Sequence, residues 1–142
     1  MSSVDPEIVY FLRRVRWLRG LSFEELSMMA ALLRLERHPE GATIIRQGEE
    51  GKRVYVRQEG EARVELVAHD GLRVLSRLTA GDNFGESALV SGQPRGASVI
   101  TETECVVYAM ARDDFELMLR RSSSFAQGLL KSLGSWVCRQ GA

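Results

Sequence analysis

Cysteine, histidine and proline are scarce in this chain of 142 residues, and each shortage removes a class of protein. The two cysteines, Cys105 and Cys138, stand far apart without C-x-x-C spacing. Two buried thiols in a reducing compartment fit that arrangement better than a disulfide. The two histidines, His38 and His69, fall on separate turns or strands with no H-x-H spacing, which weakens a metal-binding cupin. Both read as exposed turn residues. No nucleophile–base arrangement is present, so an enzyme is not expected. Neither sign of charge is in excess: 19 basic side chains face 19 acidic ones. Non-specific nucleic-acid binding draws on phosphate neutralisation, so direct nucleic-acid contact is not expected of a balanced chain. No apolar run approaches the ~20 residues of a membrane span. The N-terminus has no signal-peptide pattern, and cytoplasmic residence is expected by elimination.

What remains is a chain long enough for one domain, 1–142, with a sizeable core. Asp5 can cap a helix starting at Pro6. Ile8, Phe11, Leu12, Val15 and Leu18 then recur at helical spacing up to Gly20. Arg13, Arg14, Arg16 and Arg19 sit mostly on the opposite face and read as solvated. Ser22 with Glu25 is a capping-box pattern for a second helix through about Leu33. Phe23, Leu26, Met29, Ala30 and Leu33 form its apolar stripe. From Leu35 the period changes to that of strands, broken by turns around Gly41, Gly48–Gly51, Gly60, Asp70-Gly71 and Gly81. Asp70-Gly71, between two alternating runs, is the strongest hairpin signal. Cys105 to Met110 reads as the last strand. Helices follow from Asp113-Asp114 and from Ser122–Ser124, the last with Phe125, Leu129, Leu130, Leu133, Trp136 and Val137 on one face. The expected fold is mainly β with flanking helices (α+β): an antiparallel β-roll or jelly roll over 35–111, N-terminal helices over 6–33 and C-terminal helices over 112–139.

One stretch, Phe84 to Val99, carries chemistry. Gly85 permits close approach of a ligand to the backbone. A short helix starting there offers unpaired amides to an anion. After the break at Gly92, Pro94-Arg95 brings back a planar fork of donors suited to two phosphate oxygens. Glu86 would repel a phosphate, but could accept a hydrogen bond from a sugar hydroxyl. Together these residues describe a pocket for a phosphate attached to a ribose.

The run F-G-E-x-A-L followed by P-R-x-A resembles the phosphate-binding cassette of cyclic nucleotide-binding domains. Such domains occur in catabolite activator protein, protein kinase A regulatory subunits and nucleotide-gated channels. The resemblance extends through Gly41 to Ile44, Gly48, Tyr55, Gly60 and Gly81-Asp82, and covers about Val9 to Arg139. It implies that Glu86 takes the ribose 2′-hydroxyl and Arg95 the cyclic phosphate. The amides near Gly85, Ser87 and Ala88 would add contacts, with Gly96 and Ala97 closing the cassette. Ser87 replaces the usual aliphatic residue, which is tolerable where the backbone does the binding. The family's roll would present Val64, Leu75 and Ser76 to the ligand, although Val64 and Leu75 are equally well explained as strand core. Gly96 stands where cGMP-preferring relatives often carry threonine; without that hydroxyl, cAMP is expected over cGMP at modest selectivity.

In the family the C-terminal helices cover the nucleotide as a lid or pair with a second subunit, so a homodimer or an effector domain outside this chain are the partners implied. Trp136 could stack on the base, but a helix-packing or dimer-seam role is preferred for it. Arg57 stands where relatives place an aliphatic residue, and is expected to snorkel outwards or to pair with Glu59, Glu61 or Glu65. The expected function is a regulatory cyclic-nucleotide sensor. The alternatives are a nucleotide-blind interaction module of the same fold and, behind it, a cupin-type metal protein.

Overall fold

The computed structural model describes residues 4–78 and 81–139, with side chains in the last helix described as far as residue 132. It divides into two compact units, Arg34–Arg112 and Met1–Leu33 with Asp113–Ala142.

In the first unit the strands are β1 (Leu33–His38), β2 (Thr43–Ile45), β3 (Arg53–Glu59), β4 (Ala62–Ala68), β5 (Gly71–Arg77), β6 (Asn83–Phe84), β7 (Ser98–Thr101) and β8 (Cys105–Ala111). They form two four-stranded sheets, ordered β1-β8-β3-β6 and β2-β7-β4-β5. The expected antiparallel β-roll is therefore present. Its core lies between the sheets, because Ile45, Ala62 and Val99 of one cluster with Tyr55, Phe84, Cys105, Val107 and Ala109 of the other. The Tyr55 and Phe84 rings stack with centroids 5.0 Å apart. β4 shows why the sheet has two faces: Ala62 and Val64 turn to that core, while Arg63 pairs with Glu65 at 2.8 Å on the other side. Register then aligns Ile45, Val99, Val64 and Ser76 in one row across β2, β7, β4 and β5. Thr101 fixes the first turn, its buried hydroxyl donating to the Pro39 carbonyl and accepting from the Ala42 amide, both at 2.7 Å.

Several local details depart from the sequence reading. The β4–β5 turn is centred on His69 and Asp70, with Gly71 already in β5 at φ 128°. His38 lies half-buried at the end of β1, bonded to Glu36 at 3.0 Å, whereas His69 is exposed in its turn as expected. Arg57 chooses none of the three glutamates: its guanidinium donates to the Gly60 carbonyl. Its Nε is buried without a hydrogen-bond partner among the described residues.

In the second unit α1 spans Pro6–Arg13, with the Asp5 side chain accepting from the Glu7 amide. It stops sooner than the apolar spacing implies. Val15 is extended and a single 3-10 turn, Arg16–Leu18, carries Leu18 inward. α2 (Phe23–Leu32) starts with the full Ser22–Glu25 capping box. Phe23 is 69% exposed there, although its spacing from Leu26 and Ala30 puts it along the same side of the helix. α4 (Arg112–Arg121) and α5 (Ser123–Arg139) follow. Ser122 caps α5 by accepting from the Phe125 amide at 3.0 Å and donates its own proton to Glu25. Phe125 packs against Trp17 and Phe115, and Leu129 is buried, but Leu130 is 68% exposed. The remaining residues expected on that face, Leu133, Trp136 and Val137, lie outside the described side chains.

Candidate functional site

The cassette is built on a six-residue helix, α3 (Glu86–Ser91), bracketed by two glycines in left-handed conformation: Gly85 at φ 89° and Gly92 at φ 74°. Gly85 is required twice over. A side chain there would take a disfavoured φ, and its Cβ would meet Arg95 Nη1 at 2.9 Å and Ile45 Cδ1 at 3.0 Å. Arg95 fills that space. It is buried, donating through Nη1 to the Gly85 carbonyl and through Nη2 to the Arg53 carbonyl at 2.6 Å. Its backbone is held as firmly: the Arg95 amide donates to Glu49, and its carbonyl accepts from Gly48, both at 2.8 Å.

Among the described residues Arg95 forms no ion pair. Glu86 and Tyr55 act on it only through space, and burial pulls its guanidinium below the ordinary value. Glu86 is also buried, and Oε2 has no hydrogen-bond partner among the described residues. Burial raises its carboxyl above the usual range; its own amide, the Asn83 side chain and the Arg95 charge pull the other way. A buried cation and a buried, half-satisfied carboxylate thus flank the start of one short helix. Each costs free energy unless something else completes it.

Arg95, but not Glu86, lines a cavity of about 330 Å³, together with Ile44, Ile45, Arg46, Glu49, Glu50, Lys52, Arg53 and Tyr55. Of the residues singled out from sequence, Gly85 and Arg95 touch, with Glu86 adjoining. Ala88 is buried and packs towards Gly51, while Ser87 and Gly96 are exposed and Ala97 is half-buried. Val64 and Ser76 share the inward row that begins at Ile45, and Leu75 is the extra residue at the irregularity opposite Val64–Glu65. The Trp136 side chain lies outside the described residues. Sequence reasoning missed Gly51 and Arg53. A Cβ on Gly51 would strike Ala88 Cβ at 2.8 Å, meet Leu89 Cδ1 at 3.0 Å and approach Arg95 Cζ to 3.3 Å, so this glycine makes room first for α3 and then for the guanidinium. Arg53 contributes a backbone carbonyl, which leaves no trace in residue type. Among the described residues no three of His, Cys, Asp and Glu come together as a metal cluster, and no helix is long and apolar enough to cross a membrane.

A family profile described as "Cyclic nucleotide-binding domain" matches residues 35–122. The chain is 36% identical, over 109 residues, to the cAMP-dependent protein kinase regulatory subunit of Colletotrichum orbiculare, covering 77% of this chain and 27% of that protein. It is 35% identical over 100 residues to cGMP-dependent protein kinase 2 of Mus musculus, covering 69% of this chain and 13% of the kinase. It therefore spans about a quarter or less of these curated relatives. Among solved structures, the regulatory domain of Toxoplasma gondii PKA in co-crystal with cAMP superposes with a TM-score of 0.82 at 33% identity, covering 92% of this chain and 49% of that one.

Proposed function

The chain belongs to the cyclic nucleotide-binding domain family, and from that premise we propose that it is a regulatory sensor which binds cAMP in preference to cGMP and catalyses nothing. The observation that carries this reading is Arg95, a buried guanidinium held by two carbonyls with no ion pair among the described residues. Carbonyls orient it but leave its charge uncompensated, and a cyclic phosphate would supply the missing anion. Glu86 would take the ribose 2′-hydroxyl on its unused oxygen. Gly96 is exposed and has no hydroxyl to offer a guanine amino group, which favours adenine. Ser87, Ala88 and Ala97 would add backbone contacts, and Val64, Leu75 and Ser76 are the proposed surroundings of the base.

Binding would shift the helices after Arg112 between two arrangements, by no more than the nucleotide's difference in affinity for them. The output would go to a partner subunit or effector domain, in the cytoplasm. Titration calorimetry with cAMP and cGMP tests the selectivity, with cAMP expected to bind several-fold tighter. Equal affinities, or tighter cGMP, would remove it. In the same experiment Arg95→Ala should weaken cAMP roughly ten- to a hundred-fold, the value of a hydrogen bond to a charged group.

A further inference from the structure

The helical unit holds a second cleft, of about 440 Å³, lined by Arg13, Leu18, Arg19, Leu21, Phe23 and Leu26. Its floor is apolar, since Leu18, Leu21 and Leu26 are all buried, and Phe23 forms an exposed apolar wall. Arg13 and Arg19 stand exposed at the rim. They belong to a group of four arginines within seven residues, completed by Arg14 and Arg16. Arg14 lies over the Tyr10 ring at 6.0 Å. Arg13, Arg16 and Arg19 form no ion pair among the described residues. The neighbouring Glu25 carboxylate already accepts from the Ser22 amide and the Ser122 hydroxyl. Cations without carboxylates, beside an apolar floor and an uncovered phenylalanine, describe the complement of something acidic with an apolar centre.

We infer that this cleft docks an acidic peptide segment of a partner protein. One large apolar side chain sits on the Leu18–Leu21–Leu26 floor against Phe23, and flanking carboxylates meet Arg13 and Arg19. A small molecule fits less well, because the cleft has no buried polar side chain to orient one. A bilayer fits less well too: an interfacial helix needs an outward apolar face, and Val9 and Leu12 of α1 are buried. A nucleic acid would need basic charge spread over a surface, and here it is confined to one short segment of a chain with no net charge.

The test is fluorescence anisotropy of the full chain with a labelled synthetic peptide in which leucine and phenylalanine are set among glutamates. The acidic peptide is expected to bind, more weakly as salt rises. Changing both Arg13→Glu and Arg19→Glu should weaken it roughly ten-fold or more, and Phe23→Ser several-fold. These side chains are exposed, so the variants keep the fold, which their thermal melts check. A version with lysines replacing the glutamates should not bind. Four outcomes each overturn the inference: no binding at millimolar peptide, equal binding of the lysine version, unchanged affinity in the Arg13→Glu/Arg19→Glu variant, or chain that ignores the peptide but sediments with phosphatidylserine vesicles.

Discussion

Arg95 and Glu86 are a buried pair of opposite charge that do not bond to each other, and their surroundings set a pH signature. Burial raises the Glu86 carboxyl, so the folded chain keeps that proton where the unfolded chain has released it. The sign follows: stability from this group is greatest below its unfolded value and declines as pH rises through the folded one. Glu25 runs the opposite way. Hydrogen bonds from Ser122 and then Ser22 lower it, so its contribution is present above the unfolded value and is lost as pH falls through the folded one. Urea unfolding of the ligand-free protein, from the ordinary glutamate value of 4.5 upward, separates the two. Glu86→Gln should gain stability relative to the parent as pH rises. If the two curves run parallel over that window, the Glu86 carboxyl is not shifted. The same carboxylate was legible in the sequence, as the odd acid in an anion site. Gly51 was legible only as a turn, because its duty is to stay out of the way of Ala88, Leu89 and Arg95, which arrive from a distant segment.

At the scale of elements, capping signals translated directly: Asp5, Ser22 and Ser122 each cap the helix they precede. Caps are local hydrogen bonds and need no tertiary partner. Apolar spacing was less reliable. It ran α1 on to Leu18, where the chain instead extends at Val15 and turns once. Trp17, on that turn, lies against α5 so closely that a Cβ on Gly128 would stand 2.1 Å from the Trp17 carbonyl oxygen. Alanine is the better helix former by ~1 kcal/mol, while overpacking costs about 1–3 kcal/mol. A backbone oxygen cannot rotate aside as a flexible side chain can, so the contact should win. Gly128→Ala is therefore expected to lower the melting temperature. An unchanged or raised value would mean that α5 slides freely on the turn.

For the molecule as a whole, the proposed sensor works only if nucleotide alters the helices that follow the roll. Hydrogen exchange over residues 122–139, with and without saturating cAMP, should show protection that depends on ligand. Identical protection would leave a binding module with no output through these helices. Sequence alone determined the class of fold, the two-residue periods of the strands, the helix caps and the cassette. Those features are written in neighbouring residues, through alternation, capping and the order glycine, acid, proline, arginine. Only tertiary structure decided which carbonyls hold Arg95, why position 51 has no side chain, where Arg57 bonds, and that Arg13 and Arg19 rim an apolar cleft. Each of these depends on atoms brought together from separate segments, and on backbone groups that every residue type carries alike.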